Sequence, residues 1–229
     1  MTKNNNAEIK WTEVIQNSTL TYPCEYVIRI FKGKYPKLNL ADKINQKRVC
    51  DIGCGDGRNI PLLISCGLKV SATEVNNEIV EKVKSNLSNI NKSKYTIRVG
   101  LNNDLPFKNN YFDYLLSWNV CYYMGKERDF QRHVHEYSRV LKKDGTLILS
   151  IPKKSCFIYK GSKKIAGGYS IIKNDPFKIR NGETLKIFQN EKDIEKEFST
   201  NFYQFTFASI HDDCFGFNYH WHLVICRKK

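Results

Sequence analysis

The sequence predicts an α/β protein, a three-layer sandwich around a seven-stranded, mostly parallel sheet. Apolar runs of strand length alternate with longer amphipathic segments, which is typical of a parallel sheet with helices on both faces. The first of these runs leads directly into a glycine-rich loop, residues 53–57, and a helical pattern follows the loop. A strand, a glycine turn and a helix in that order are typical of folds in which a ligand lies against bare backbone at the end of the sheet.

The individual elements follow from periodicity and from turn residues. Helical patterns with one apolar stripe are predicted after the glycine loop, after the helix-capping Asn76, and before the turn at Asp144 and Gly145. The predicted helices span residues 25–32, 59–65, 76–87, 127–141 and 190–198. The predicted strands span residues 48–52, 69–73, 95–99, 112–118, 146–151, 202–209 and 219–227.

Composition places the chain among globular proteins, since 41% of its 229 residues are hydrophobic and can bury a core in one domain. No apolar run approaches the roughly 18 residues of a membrane helix. Residues 1–10 lack the apolar run of a secretory signal, so a cytoplasmic protein is expected. The eight cysteines are scattered without a C-x-x-C pair. This indicates buried apolar residues in a reducing compartment, and no metal site.

The formal net charge of +14 allows two interpretations. A basic surface attracts nucleic acid or other anions. Alternatively, the bias reflects a genome whose codons favour lysine, asparagine and isoleucine, since lysine is spread along the whole chain. Between residues 153 and 180, eight Lys or Arg residues accompany a single acidic residue, Asp175. That stretch is interpreted as a lid over an anionic small molecule, as an RNA-binding surface, or simply as a solvated hairpin.

The glycine loop has the spacing G-x-G-x-G, with Gly53, Gly55 and Gly57 at alternate positions. It lacks the third glycine of the G-x-G-x-x-G pattern that suits a pyrophosphate. About twenty residues later, the second strand ends in Glu74. A carboxylate at that strand end can accept hydrogen bonds from both hydroxyls of a ribose. Together the two features indicate a ribose-containing ligand other than a dinucleotide.

Three further segments resemble those of one family. Residues 105–113, LPFKNNYFD, resemble an L-P-F-x-x-x-x-F-D segment, and residues 138–147, SRVLKKDGTL, are similar to R-V-L-K-x-G-G-x-L. Residues 22–25, YPCE, are similar to an N-terminal element of some members. With the glycine loop, these segments resemble the class I, Rossmann-like methyltransferases that use S-adenosylmethionine (SAM), in particular the small-molecule type 11/12 branch. The resemblance covers roughly residues 20–151 and implies the strand order 3-2-1-4-5-7-6, with the last strand antiparallel.

The resemblance implies a role for each residue of the cofactor site. The glycine loop would hold the methionine part of SAM, and Glu74 would bind the ribose, with the next residue beside the adenine. Asn102 would contact the adenine, although Leu101 stands where the family commonly has an acidic residue. Asn119 would face the transferring methyl, and Tyr22 would close over the carboxylate of SAM. The expected cofactor-binding residues are Tyr22, Asp51, Gly53, Gly55, Gly57, Glu74, Val75, Asn102 and Asn119.

In these terms the chain is expected to be a single methyltransferase domain in four parts. They are an N-terminal helical cap (1–45), a SAM-binding core (46–151), a basic insertion on the substrate side (152–189), and a C-terminal helix with a strand pair (190–229). Residues that bind the methyl acceptor are expected after the fourth strand, in the insertion, and near the end of the chain.

Three tyrosines are predicted to line the acceptor pocket: Tyr122, Tyr123 and Tyr169. Aromatic residues at such positions can equally pack in the core. His211 follows a predicted strand and precedes two aspartates, so it is the candidate general base for a hydroxyl acceptor, with an ordinary turn as the alternative. His133 and His135 are expected to face solvent or a partner.

The predicted function is methyl transfer from SAM to a small, anionic acceptor, with S-adenosylhomocysteine (SAH) as the second product. Methylation at oxygen is favoured, on a sugar or nucleotide-linked metabolite of bacterial surface-polysaccharide synthesis. Asn119 is followed by Val-Cys instead of the Pro-Pro-Tyr of enzymes that methylate the amino groups of nucleic acids. Two alternatives stay open. One is an RNA or protein methyltransferase, which the net charge favours, and the other is a SAM-binding module without catalysis.

Overall fold

The computed structural model describes residues 6–18, 22–38, 40, 44–125 and 127–229. Its helices are α1 (Asn6–Gln16), α2 (Glu25–Lys32), α3 (Ile60–Ser65), α4 (Asn77–Asn86), α5 (Phe130–Val140) and α6 (Glu191–Phe198). Its strands are β1 (Arg48–Ile52), β2 (Lys69–Glu74), β3 (Tyr95–Val99), β4 (Phe112–Trp118), β5 (Tyr123–Met124), β6 (Leu141–Pro152), β7 (Lys163–Ile165), β8 (Tyr169–Ile171), β9 (Thr184–Lys186), β10 (Phe202–Cys214) and β11 (Phe217–Lys228).

A seven-stranded sheet forms the centre of the fold, with neighbouring strands in the order β10-β11-β6-β4-β1-β2-β3. The five neighbouring strands β3, β2, β1, β4 and β6 pair in parallel, and β11 is antiparallel to both β6 and β10. Counted along the chain within this sheet, the order is 3-2-1-4-5-7-6, so the predicted strand order is confirmed. The strand order reverses between β1 and β4, and open α/β sheets bind their ligands at the carboxyl end of such a reversal.

Helices cover both faces of the main sheet, and each face has its own apolar core. On one face the strands pack against α2, α3 and α4, which contribute Phe31, Leu63 and Val83. On the other face they pack against α5 and α6, which contribute the fully buried Tyr137 and Phe198. A sheet that is buried on both faces needs nearly continuous apolar strands, as the sequence has. The three-layer α/β sandwich is therefore confirmed.

The bounds of several predicted elements differ from the structure, and the largest of these differences lie in β6, in β10, which continues to Cys214, and in α5. Helix α5 begins at Phe130 and not at residue 127, because Asp129 is its N-cap and accepts a hydrogen bond from Gln131 N. Strand β6 begins at Leu141 and not at residue 146. Its pairing with β4 shifts register near its start, where Asp144 has a φ of 59°. The predicted turn is therefore an irregularity inside a longer strand.

The first helix, α1, is an element that the sequence analysis does not predict. Gln16 Nε2 of α1 donates a hydrogen bond to Glu78 O at 3.2 Å, and Asn76 Nδ2 donates to Thr12 Oγ1 at 2.9 Å. Both contacts lie at the start of α4, which follows the end of β2. The helix is therefore docked beside the carboxyl ends of the central strands.

Three strands of the basic insertion join the short strand β5 in a second sheet, in the order β5-β9-β8-β7. All its pairings are antiparallel, and Tyr123 of β5 pairs with Leu185 of β9. Because β5 belongs to the segment that follows β4, the insertion is attached at the carboxyl end of the main sheet. Within the described ranges, no helix is long and apolar enough to cross a membrane.

Candidate active site

A cavity of about 640 Å³ opens at the carboxyl ends of β1, β2 and β4. This is the edge where the strand order reverses. Helix α1 and the insertion enclose its sides, so the cavity joins parts of the chain that are far apart in sequence. The predicted site residues that border it are Asp51, Gly53, Gly55, Glu74, Val75, Asn102, Asn119 and Tyr123.

The glycine loop turns so tightly that side chains would not fit at two of its positions. Gly53 has a φ of +62°, and a Cβ there would lie 2.8 Å from the side chain of Val120. Gly55 has the same φ and also borders the cavity. Gly57 lies outside the cavity and faces α4 instead. A Cβ at this position would lie 2.6 Å from the side chain of Val83. Gly53 and Gly55 therefore leave bare backbone for a ligand, whereas Gly57 packs the loop against α4.

The carboxylate of Glu74 joins the end of β2 to the glycine loop. Its Oε1 accepts a hydrogen bond from Gly55 N at 2.6 Å, and its Oε2 accepts one from Val75 N at 3.0 Å. Burial raises the pKa of Glu74 to about 7, although these two N–H donors oppose the shift. Each carboxylate oxygen has a further lone pair. Glu74 can therefore accept two more hydrogen bonds from the hydroxyls of a ligand.

Asp51, near the end of β1, is a second buried carboxylate at the same cavity. It is 1% exposed, and among the described residues its Oδ2 has no hydrogen-bond partner. Burial raises the pKa of Asp51 to about 8, although a hydrogen bond with Asn59 opposes the shift. An unpaired carboxylate in such a place is costly unless a cation or a donor joins it. Asp51 therefore marks the place for a positive or donating group of the ligand.

Asp51→Asn is expected to raise the Tm of the ligand-free protein, and by more at high pH than at low pH. The folded pKa of about 8 lies above the ordinary value of 3.8. The stability that this carboxyl contributes is therefore fully present below its unfolded pKa and is lost as the pH rises through its folded pKa. The amide does not ionise and avoids this loss. Thermal unfolding followed by circular dichroism should show a gain of roughly 5 °C at about pH 8 and less at about pH 5.

The exposed Asp104→Asn serves as the control for this prediction and should leave the Tm unchanged at both pH values. A Tm for Asp51→Asn equal to or below that of the wild type at the higher pH would contradict an uncompensated carboxylate at this position.

Two asparagines that border the cavity are held by other protein groups. Asn102 Nδ2 donates to Val120 O at 3.2 Å, and its Oδ1 accepts from Tyr137 OH at 2.6 Å. Asn119 has a φ of 61°, and its N donates to Ser150 Oγ at 2.7 Å. The Ser150 hydroxyl in turn donates to Asn119 Oδ1 at 2.7 Å. The side chain of Asn102 therefore positions its loop at the edge of the cavity.

The insertion and α1 form the other half of the cavity. Arg180 Nε donates to Tyr123 OH at 2.9 Å, and its Nη1 lies 3.3 Å from Oδ2 of the buried Asp175. The guanidinium stands over the ring of Trp11, 5.5 Å from its centroid, and Trp11 packs edge-on against Tyr123. Glu183 also borders the cavity, and burial raises the pKa of Glu183. This half therefore presents one fixed guanidinium and two carboxyl groups, those of Glu183 and of Glu8 on α1.

Three of the predicted tyrosines lie outside the cavity. Tyr22 is 79% exposed. Tyr122 is 1% exposed and belongs to the apolar core, where its ring stacks on that of Tyr123 with centroids 5.0 Å apart. Tyr169 packs in the small sheet, with its hydroxyl 3.3 Å from Phe130 N. Tyr22 is therefore not placed to contact SAM, and Tyr122 and Tyr169 are not placed to contact an acceptor in this cavity.

The predicted base His211 also lies elsewhere. It is exposed on β10, which β11 and β6 separate from β4. Its Nε2 is 2.6 Å from Lys153 Nζ, and its ring stacks on His220 with centroids 4.5 Å apart. Because β10 is the outer strand of the sheet, this histidine does not reach the cavity. The geometry therefore does not support a catalytic role for His211.

Several residues that the sequence analysis did not assign to the site complete the cavity wall: Trp11, Ile15, His133, Arg180 and Glu183. His133 is predicted to face solvent or a partner, but it is 4% exposed, because it lies three residues after Phe130 on the buried face of α5. The spacing of Phe130, His133, Val134 and Tyr137 is that of one helical stripe and could have identified this. His135, on the same helix, is exposed as expected.

Known proteins resemble this chain in sequence over part of its length and in fold over most of it. Residues 50–149 match the family described as a methyltransferase domain. Similar solved structures include a SAM-dependent methyltransferase from Methanosarcina mazei, at 19% identity and a TM-score of 0.66, covering 85% of this chain and 98% of that chain. A protein from Pyrococcus horikoshii OT3 has 19% identity and a TM-score of 0.63, covering 93% of both chains. Phosphoethanolamine N-methyltransferase 2 from Haemonchus contortus, in complex with SAM, has 14% identity and a TM-score of 0.66, covering 99% of this chain and 58% of that chain. No curated protein sequence matches the chain.

The chain is thus similar to methyltransferase domains in its fold and over residues 50–149, and one of the similar solved structures contains SAM. The site residues fit this cofactor. Gly53 and Gly55 leave backbone free beside the ligand, and Glu74 has lone pairs for ribose hydroxyls. The unpartnered Oδ2 of Asp51 suits a ligand that carries a sulfonium and an ammonium group.

Proposed function

We propose that this methyltransferase transfers the methyl group of SAM to a hydroxyl of a small, anionic acceptor and releases SAH. One observation carries the proposal: Arg180 holds a guanidinium at the half of the cavity that the insertion encloses. A guanidinium N–H group donates strong, charge-assisted hydrogen bonds to carboxylate and phosphate groups. Since Nε and Nη1 of Arg180 contact Tyr123 and Asp175, Nη2 is the donor left for an acceptor.

The size of the cavity supports a small acceptor. Its volume of about 640 Å³ lies within the roughly 300–1,000 Å³ that is typical of small-molecule sites. Sugar phosphates and nucleotide-linked sugars combine hydroxyls with an anionic group. Such metabolites, including those of bacterial surface-polysaccharide synthesis, are therefore the first acceptors to test.

The residues around the cavity have distinct tasks in this reaction. When bound, SAM supplies a methyl group on a sulfonium, which is already a good leaving group. The protein mainly aligns the reactants and excludes water. The glycine loop and Glu74 hold the donor, and Asn119 borders the space between donor and acceptor. Trp11 and Tyr123 exclude water, and Arg180 orients the acceptor.

The proposal assigns a task to each part of the chain. Residues 1–45 cap the site, 46–151 bind SAM, 152–189 bind the acceptor, and 190–229 complete the main sheet. A cytoplasmic location is part of the same proposal. It is supported by the eight free cysteines, which suit a reducing compartment.

Arg180→Gln is expected to raise the KM for an anionic acceptor by about 10- to 100-fold, since a hydrogen bond to a charged group contributes about 1.5–3 kcal/mol. SAM affinity should change little, because Arg180 makes its contacts in the acceptor half. Initial rates are measured with methyl-labelled SAM against sugar phosphates, a uridine diphosphate sugar, neutral sugars, amines, a peptide and RNA. The exposed Lys173→Gln removes the same charge from the insertion and is the matched control.

Methylation of anionic sugars, with a KM that depends on Arg180 but not on Lys173, supports the proposal. Methylation of RNA, a peptide or an amine alone contradicts it. SAM binding without transfer to any acceptor of the panel also contradicts it, in favour of a binding module.

A further inference from the structure

His133 is a buried histidine at the cavity that none of the roles above uses. It lies on α5, is 4% exposed, and borders the cavity beneath the segment that follows β4. Its ring packs against Phe130 and Tyr137, with centroids 5.7 Å and 6.4 Å away. These contacts hold the ring in one orientation.

A hydrogen bond to the backbone defines the tautomer of this ring. Nδ1 of His133 lies 3.0 Å from the carbonyl oxygen of Cys121, which can only accept. Nδ1 therefore carries the proton, and in the neutral ring Nε2 holds a lone pair. Within the described part of the chain, Nε2 has no hydrogen-bond partner and is not among the side-chain atoms sealed inside the protein.

The surroundings of His133 keep its ring neutral near physiological pH. Burial lowers the pKa of His133, and Arg132 acts in the same direction, whereas the bond to Cys121 and the charge of Asp129 oppose the shift. The phenol of Tyr137, on the next turn of α5, is also neutral because burial raises its pKa. An uncharged imidazole with a lone pair on Nε2, in a residue that borders a ligand cavity, is equipped to accept a proton.

We propose that His133 is the general base of the methyl transfer and takes the hydroxyl proton of the acceptor at Nε2. This inference rests on the O-methylation proposed above. As the acceptor oxygen forms its bond to the methyl carbon, the bond between that carbon and sulfur breaks, and its electron pair stays on sulfur. The proton moves from the hydroxyl to Nε2, and the resulting imidazolium returns it to solvent after the products leave. A neutral amine acceptor would not need this step.

His133→Asn removes the base with little change to the local structure. The asparagine amide can still donate to Cys121 O, but it places no group where Nε2 stood. With the hydroxyl acceptor that the wild type methylates fastest, kcat is expected to fall by about 100- to 10,000-fold, while SAH affinity stays within about twofold. The wild-type kcat should rise with pH through one ionisation below the ordinary histidine pKa of 6.5, and the variant should lack this dependence. The exposed His135→Asn should keep the wild-type rate and pH profile.

The tautomer can be measured without turnover. In the SAH complex of the wild type with ¹⁵N-labelled histidine, the ring nitrogens of His133 should show a protonated Nδ1 and an unprotonated Nε2 at neutral pH. A protonated Nε2, or a His133→Asn variant with the wild-type rate and pH profile, overturns the base role and leaves the proposed function standing. The base role is also overturned, and the proposed function left standing, if the pH dependence of kcat is lost in Glu183→Gln and kept in His133→Asn. If the wild type methylates no hydroxyl acceptor, the proposed function and the base role both fail.

Discussion

Replacing Glu74 by alanine is expected to lower the affinity for SAM and for SAH by about 100-fold or more. A hydrogen bond to a charged group contributes about 1.5–3 kcal/mol, and the carboxylate is positioned to accept two from a ribose. The same carboxylate holds Gly55 N and Val75 N, so its loss also loosens the loop that carries the rest of the ligand. Isothermal titration of SAH into the wild type and into Glu74→Ala measures the difference directly.

Glu78→Ala is the matched control for this prediction, since Glu78 is an exposed glutamate in the first turn of α4. It should bind SAH like the wild type. The affinity of the wild type should also decrease as the pH falls through about 7, because the pKa of Glu74 is raised to about 7 by burial and a protonated carboxyl is the weaker acceptor. A folded Glu74→Ala protein that retains wild-type affinity would contradict the assigned ribose site.

Gly53→Ala is expected to reduce both the stability of the protein and its affinity for SAM. At a φ of +62°, an alanine costs about 1–2 kcal/mol from backbone strain alone. Its Cβ would also lie 2.8 Å from the side chain of Val120, so one of the two must move. Since both residues border the cavity, the movement changes the surface on which the ligand lies. We expect a Tm lower by roughly 5 °C and SAH affinity reduced by at least about tenfold.

Gly216→Ala separates these two effects. Gly216 also has a positive φ, of +84°, but a Cβ there would meet no atom within 4 Å, and the residue lies in the hairpin between β10 and β11. This variant should show the strain without the loss of SAH affinity. Adding Val120→Ala to Gly53→Ala should recover part of the lost stability. If Gly53→Ala loses no more than Gly216→Ala in either measurement, the close packing of the glycine loop plays no role in binding.

The central sheet could be predicted from the sequence because its signals are local. Strand β1 and helix α2 have the predicted bounds, and both are short apolar patterns with clear ends. Helix α1 could not be placed this way, because its position depends on side-chain bonds to Asn76 and to the backbone of Glu78. The small sheet could not be predicted for the same reason. It depends on the pairing of Tyr123 with Leu185, which are far apart in the chain.

The half of the cavity at the strand ends of the main sheet was predictable, and the half formed by the insertion and α1 was not. Gly53 and Glu74 stand in a fixed relation to two strand ends, so the strand order brings them together. Arg180 and Trp11 meet only because the insertion and α1 fold over the same cavity. The net charge of the chain also did not predict the charge of the groups at the cavity. The chain has a net charge of +14, yet the half of its cavity at the strand ends contains the buried carboxyl groups of Asp51 and Glu74.

The crystal structure of the complex with SAH is the measurement that tests the central claim most directly. We expect SAH in the cavity at the carboxyl ends of β1, β2 and β4, with both ribose hydroxyls within hydrogen-bond distance of Glu74. The amino group should lie toward Asp51, and the sulfur should face the half that contains Arg180. SAH bound elsewhere, or a cavity that stays empty in crystals grown with saturating SAH, would contradict the assignment of this cavity as the site of methyl transfer.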